Sequence, residues 1–515
     1  MSRGRNPYGA RSARRGIRNQ LAARIIQAAA SFAVMLITVR QLTVGEYAFY
    51  VTAVAAGTVL GSVSLFGMDR VAFRYIPEGR LSAHPGDLAR LLDRLRQLRL
   101  AFVVGVSLVV AVAWQWIGPL FELHNARALW PVLSYSIVHA MSQYSAVVMQ
   151  SLMLQKDLRN ATTITWSARF MTLVIVVAAV DTFDAQWALW ITIASEALGL
   201  LWMAVKTHGH VMELRGQPSD VPSGVWPRTW SEIYRFGGQN LAMGQLSLAI
   251  KPKIQLLVAA ALLPKEAVAA FGFFRSLSDQ FARLLPFHMF RTIIEPIMMG
   301  RFRSTGDFSQ QNTIASAILK TGLLLSLPVS VWAFLAGKPV VSMITSGKFV
   351  GETWMFGLLV LSLVPTIQRT LHGIIANAAD LSASLIPAAV ISSLATVLLA
   401  WSWAPVVGAV AIVVSDIVFA AVFGFVVVRA LRRNGLSYSV DWRSVARMYA
   451  LAILAAGVTG VLHMVVGERM PLLWSIGAAL VIGVIVLGGN LVWRPFTPAE
   501  RDLLSRVVPR RLMIF

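Results

Sequence analysis

The sequence predicts an all-α, polytopic membrane protein with about 14 transmembrane helices, arranged as two six-helix lobes and a C-terminal helix pair. Three observations predict it. The first is composition: of 515 residues, 57% are hydrophobic and only 14% charged, with a mean hydropathy of +0.66. A soluble domain carries roughly 25% charged residues, so this chain is too poor in charge to cover a soluble surface. The second is that the apolar residues come in blocks of about 20, the length of helix that crosses a bilayer. In lipid the backbone must satisfy its own polar groups, so each block reads as a helix. The third is the alternation of Lys and Arg among the loops, which places successive loops on opposite sides.

The elements follow in order. Residues 1–19 form a basic tail with Arg3, Arg5, Arg11, Arg14, Arg15 and Arg18. The apolar stretch after it lacks a small-residue cleavage site and reads as a retained helix rather than a secretory signal. An N-lobe over 20–205 has spans at 20–41, 47–68, 100–119, 129–154, 161–180 and 186–205. Within its loops, residues 80–99 alternate Leu and Arg as a short amphipathic helix on the membrane surface. A polar linker, 206–231, is interrupted by Pro218, Pro222 and Pro227. A C-lobe over 232–428 has spans at 232–263, 267–299, 312–336, 354–378, 382–402 and 405–428. Residues 429–515 hold the thirteenth and fourteenth helices, 445–465 and 471–493, and a second basic tail.

Orientation follows from the loops. Of 46 Lys and Arg, about thirty fall on the side of the N-terminus and a handful opposite, which predicts both termini in the cytoplasm. The far-side loops are short, so no large extracytoplasmic domain is expected. The net charge of +22 is therefore explained by membrane topology and anionic lipid, and a nucleic-acid partner is not expected. There is no cysteine, which excludes disulfides, thiolate metal sites and cysteine nucleophiles. No metal-ligand spacing, paired carboxylates or phosphate loop occurs, so neither an enzyme nor a cofactor is expected.

Shifting the chain by 221 residues aligns the two six-helix blocks weakly, with Asn19 on Asn240, Leu42 on Leu263 and Gly79-Arg80 on Gly300-Arg301. Two such halves around a central cavity are a recurring transporter plan. The charges inside the spans carry the functional argument, because each costs about 2.5–3.5 kcal/mol to insert and must face protein or water. Arg24, Arg235, Arg291 and Lys320 lie near helix ends and are expected to snorkel to the interface. Arg169, Lys251, Lys253, Arg275, Arg283 and Arg369 lie deeper. Arg275, Asp279 and Arg283 are four apart and share one helix face. The acidic groups available to pair with the deep bases are Asp279, Glu196 and Asp416. Either the deep charges pair off and snorkel, or a cavity holds surplus positive charge suited to an anionic substrate. Polar neighbours, His139, Ser142 and Gln143 in the fourth span and Gln368 and His372 in the tenth, favour the cavity.

The run Val39-Arg40-Gln41-Leu42-Thr43-Val44-Gly45-Glu46-Tyr47-Ala48-Phe49-Tyr50 resembles the turn between the first two helices of bacterial polysaccharide-biosynthesis membrane proteins. Ala48 stands where those proteins usually have Gly. Leu65-Phe66-Gly67-Met68-Asp69-Arg70, then Arg74-Tyr75-Ile76-Pro77-Glu78, is similar to the same proteins, and Leu262-Leu263-Pro264-Lys265-Glu266 repeats the turn in the second half. The family is that of the lipid-linked oligosaccharide flippases, including O-antigen and exopolysaccharide flippases, within the multidrug/oligosaccharidyl-lipid/polysaccharide exporter superfamily. The resemblance implies a bacterial inner-membrane protein that moves an undecaprenyl-diphosphate-linked oligosaccharide by alternating access, with a polysaccharide polymerase and export machinery as partners. Lys251, Lys253, Arg275 and Arg283 are then expected to supply much of the diphosphate site, with Arg369 and Arg169 as further candidates. A multidrug or cation antiporter of the same superfamily would want acidic cavity residues. A flippase of the lipid-linked peptidoglycan precursor would want basic ones. A membrane glycosyltransferase or polymerase would want catalytic carboxylates and a large outer loop.

Overall fold

A computed structural model describes residues 10–65, 67–123, 126–218, 230–246, 252–288, 298, 302, 307–379, 381–466 and 471–505. Every regular element among them is helical. The chain forms two compact units, Met1–Ala261 and Leu262–Phe515. The polar segment 206–231 belongs to the first, and its residues 219–229 lie outside the described residues.

The first unit contains α1 (Ala10–Gln41), α2 (Val44–Val63), α3 (Met68–Ser82), α4 (Pro85–Val112), α5 (Ala126–Ser151), α6 (Gln155–Ala179), α7 (Ala185–Gly216) and α8 (Trp230–Leu246). The short helix α9 (Pro252–Leu262) runs to its end. The turn before α2 is a capping box. Thr43 Oγ1 accepts from Glu46 N at 3.3 Å while Glu46 Oε2 accepts from Thr43 N at 2.9 Å. Two orphan amides at the helix start are thus satisfied, and Tyr47 is turned into the core. α5 packs against α2 and α7, and α6 against α1 and α7.

The segment 80–99 corrects the sequence expectation. It is no separate surface helix, because residues 85–99 are the first half of α4, a continuous 28-residue helix. Leu88, Leu91, Leu92 and Leu95 recur at helical spacing and are buried among α3 and α5 rather than in the bilayer interface. Tyr75, Tyr144 and Leu152 complete that core.

The second unit holds α10 (Lys265–Leu284), α11 (Phe308–Leu335), α12 (Lys338–Thr345), α13 (Trp354–Ala378), α14 (Leu385–Val407) and α15 (Ala409–Arg433). α16 (Trp442–Val466), α17 (Pro471–Trp493, with a π-helical turn at Val484–Gly488) and α18 (Pro498–Ser505) end it. α13 packs between α11 and α15 and also meets α10. α11 carries α16, α17 and α18 on another side.

Ten described helices are long and apolar enough to cross a membrane, against the expected fourteen. Where the count falls short, polarity or length is the reason. α5 contains His139, Ser142 and Gln143, and α10 contains Arg275, Asp279 and Arg283. The described apolar parts of the first and seventh spans, Ile26–Gln41 and Lys253–Leu262, are short. The second half of the eighth span, 289–297, lies outside the described residues.

Candidate functional site

Among the described residues, each unit brings together a polar cluster from deep charges the sequence singled out. In the first unit, α6 and α7 approach closely because Gly199 has no side chain. A Cβ there would strike the Thr165 hydroxyl and stand 3.3 Å from the Ala161 carbonyl oxygen. One helical turn from this contact, Arg169 follows Thr165 by four and Glu196 precedes Gly199 by three, so the pair is brought face to face. Glu196 Oε1 lies 2.7 Å from His139 Nδ1, and Oε2 lies 3.7 Å from Arg169 Nη2. A carboxylate carries no proton to give, so the imidazole N–H donates. Arg169 further donates from Nε to Ser195 Oγ at 3.0 Å and from Nη2 to the Thr192 carbonyl at 3.2 Å, and lies 4.7 Å over the Trp166 ring. His139 stacks on Tyr135, which fixes its plane. This buried acid is therefore shared by two cationic or proton-bearing side chains from two other helices.

In the second unit the base is Arg275 of α10. Its Nε lies 3.4 Å from Asp279 Oδ1, one turn along the same helix, and its Nη1 lies 3.6 Å from Asp416 Oδ2 on α15. Charge-assisted bonds usually close to about 2.7–2.9 Å, so both contacts are loose. Nε is buried without any hydrogen-bond partner. Arg369 of α13 lies 5.3 Å over the ring of Phe419, one turn from Asp416. One face of α15 thus meets both Arg275 and Arg369. Arg283 stands two turns beyond Arg275 and is exposed. Lys253 is half-buried in α9 of the first unit, and Lys251 lies outside the described residues.

Two basic residues that matter structurally were assigned elsewhere by sequence. Arg99, counted as a loop charge, is fully buried. It donates to the Ser64 carbonyl, to Ser64 Oγ at 3.1 Å, to the Gly61 carbonyl at 3.0 Å and to the Ala140 carbonyl at 3.4 Å. The first three close the C-terminal end of α2, where a cation complements the orphan carbonyls and the dipole. Lys320 is the correction among the residues expected to snorkel: it is 1% exposed. Its Nζ donates to Asp441 Oδ2 at 2.9 Å, to Glu500 Oε2 at 2.9 Å and to the Pro495 carbonyl at 2.7 Å. Glu500 in turn accepts from Thr497 N at 2.7 Å, capping α18. The sequence signal for Lys320 was an acidic residue in each segment flanking the final helix pair. No comparable signal marks Arg99. Arg235 is exposed, and Arg291 and the Arg24 side chain lie outside the described residues.

At one end of α13 and α15 lies a cavity of about 740 Å³ lined by Gln368, His372, Arg429, Arg432 and Tyr438. Gly424 lets His372 pack against α15, since a Cβ would lie 2.8 Å from its ring. The His372 and Tyr438 rings meet edge to face at 4.7 Å. In the loop outside the helices, burial pushes the Tyr438 hydroxyl up to about 12, against an opposing hydrogen bond with Gln368. It is a neutral donor at every physiological pH. Among the described residues no three His, Asp or Glu side chains converge as a metal site.

No family model and no curated protein matches the chain. Solved structures do. The lipid II flippase MurJ in an inward closed conformation superposes with a TM-score of 0.64 at 10% identity, over 94% of this chain and 98% of that one. An inward-facing multidrug resistance MATE family transporter of the MOP superfamily gives 0.56 at 14% identity, over 82% and 98%. The Vibrio cholerae MATE transporter VcmN gives 0.54 at 16% identity, over 83% and 100%. The chain therefore has the fold of these flippase and MATE transporter structures, a multi-pass membrane architecture.

Proposed function

We propose that this protein is a flippase that carries an undecaprenyl-diphosphate-linked oligosaccharide across the bacterial inner membrane by alternating access. Both termini are cytoplasmic in this reading, and a polysaccharide polymerase and export machinery act after it. The observation that carries it is Arg275, a largely buried guanidinium held loosely by two carboxylates, whose buried Nε makes no hydrogen bond even to the Asp279 carboxylate beside it. Leaving a buried donor unmade costs about 1–3 kcal/mol, more for charged groups. A diphosphate oxygen meets that need, and guanidinium is the side chain whose fork fits phosphate best. Arg369 stands on the same face of α15 as Arg275's acid partner. Lys251, Lys253, Arg283 and Arg169 are the further cationic groups of the substrate path, with Asp279, Glu196 and Asp416 holding them in place when no substrate is bound. The polyprenyl tail stays in lipid, where the helices are apolar.

The second reading, transport of the peptidoglycan lipid precursor, draws support from the superposition of the lipid II flippase structure over 94% of the chain. The two readings share the diphosphate and differ in the glycan. Depleting the protein and identifying the lipid-linked intermediate that accumulates on the inner leaflet separates them. Arg275→Ala tests the site itself: export falls sharply while the protein still inserts and accumulates. If Arg275→Ala combined with Asp279→Ala restores normal export, Arg275 only neutralises its neighbour and the substrate role is wrong.

A further inference from the structure

A second basic cavity, of about 570 Å³, lies in the first unit between α4 and α7, and shares no lining residue with the clusters described above. Arg90, Arg94, Arg96 and Gln97 of α4 and His208 and Arg215 of α7 line it. Its only carboxylate, Asp93, is occupied by Arg215 at 2.5 Å. Arg90 is drawn toward Asp87, and Arg94 lies 4.2 Å over the Trp230 ring. Among the described residues no carboxylate lies within ion-pair distance of Arg96 or His208. The cavity thus presents a surplus of positive charge, all of it on exposed side chains.

What lies beneath the charge identifies the occupant. On α4 the face of Arg90, Arg94 and Gln97 continues at helical spacing into Ala101, Leu108 and Val112, and Leu108 and Val112 are 62% and 76% exposed. On α7 the face of Arg215 and His208 continues into Val205, Leu201 and Leu198, exposed by 60%, 60% and 49%. Two neighbouring helices therefore carry the same pattern, basic at one end and bare aliphatic for several turns below. Lys206, 5.0 Å over Trp202, sits at the border between the two zones, as cationic and aromatic residues do at a membrane interface. A soluble anion would use the basic end and leave the aliphatic stripes unexplained. A protein partner would not be selected by stripes that run down into the bilayer.

We propose that the α4–α7 groove is a seat for an anionic phospholipid, its headgroup phosphate in the Arg90–Arg94–Arg96–His208 cavity and its acyl chains along the two aliphatic stripes. The occupant is a resident lipid and not the transported molecule, so the inference stands independently of the proposed transport reaction. Each basic side chain removed weakens the lipid by about fivefold.

The test uses the full-length protein in a neutral detergent, with dioleoylphosphatidylglycerol or dioleoylphosphatidylcholine added, read by native mass spectrometry and thermal unfolding. The phosphatidylglycerol adduct and its stabilisation are expected in the wild type and in Arg443→Gln, an exposed basic residue elsewhere. Arg96→Gln with His208→Gln is expected to lose one bound phosphatidylglycerol, and Arg96→Lys to keep it. Leu201→Asn, on the exposed stripe, weakens the lipid without touching any charge, which covers the case in which the double variant does not fold. Equal binding of both lipids, retention of the adduct in Arg96→Gln with His208→Gln, or an unchanged adduct in Leu201→Asn overturns the proposal. So does full stabilisation by glycerophosphate alone, which would make the cavity a site for a free anion.

Discussion

Glu196 on α7 and Asp416 on α15 stand one residue from the register of 221 at which the two halves align, and each follows a serine. In both units that serine returns its hydroxyl proton to the carbonyl three residues earlier, Ser195 to Thr192 and Ser415 to Ile412, at 3.0 and 2.8 Å. The bases differ. Glu196 has a short bond from His139 and a longer contact with Arg169, whose guanidinium also bonds Ser195 and Thr192. Asp416 has only a loose contact with Arg275 among the described residues, and Arg275 divides itself between two acids. A common serine–acid step on the last helix of each six-helix block has thus acquired a nearly satisfied partner in one half and an unsatisfied one in the other. Under the proposed function, the half with spare donor capacity is the one that binds the diphosphate.

The clearest way to separate satisfied from unsatisfied cations is to remove one of each. Lys320 has three oxygen partners within 2.9 Å. Lys320→Ala leaves Glu500 buried without its counter-charge, and breaking a buried pair costs about 3–5 kcal/mol. Thermal unfolding in detergent should show a large drop in Tm, together with poor accumulation in cells. Arg275→Ala should lower Tm by less, because its contacts with Asp416 and Asp279 are loose, and should cut transport, because one charge-assisted bond to substrate is worth about 1.5–3 kcal/mol. Arg169→Ala should reduce transport less, since Glu196 keeps His139. Equal transport losses in both variants would break the asymmetry drawn between the units.

Smaller effects sharpen it. Gly199→Ala pushes a methyl into the Thr165 hydroxyl, and overpacking of this kind costs about 1–3 kcal/mol. Adding Thr165→Ala should recover much of that loss in Tm, and a failure to do so would locate the strain at the Ala161 carbonyl. The least effect is from pH. Burial raises the Asp441 carboxyl, but bonds from Ser444 and Lys320 outweigh it and hold the group at about 2 instead of 3.8. A depressed carboxylate contributes stability that is complete above pH 4 and is lost as pH falls toward 2. Unfolding of the wild type should therefore steepen across that window, and Asp441→Asn should flatten it.

The helical class was legible because apolar blocks are local features of the chain, and the acids at 196, 279 and 416 stood out as charges inside those blocks. The capping box at Thr43–Glu46 lay in the very run that carried the family resemblance. What escaped was partnership across the chain. Arg99 reads as one more loop arginine until the C-terminal end of α2 arrives beneath it from 35 residues away. Lys320 reads as a snorkelling lysine because hydropathy reports distance from a helix end and says nothing about a carboxylate 180 residues on. The leucines of α4 have the same period whether they face lipid or α5, so amphipathicity alone placed them on the wrong partner.

The ammonium of Lys320 also sets where the chain tolerates being cut. Its two carboxylates come from before α16 and from within α18, so the last helix pair is clasped at both its entry and its exit to a single point on α11. A reporter or affinity tag joined directly after Trp493 would remove Glu500 and open half of that clasp, whereas the same tag placed beyond Ser505 leaves it shut. The final helices are in this sense a fastening for the second unit, and shortened versions of the protein that drop them inherit a buried positive charge with nothing on one side of it.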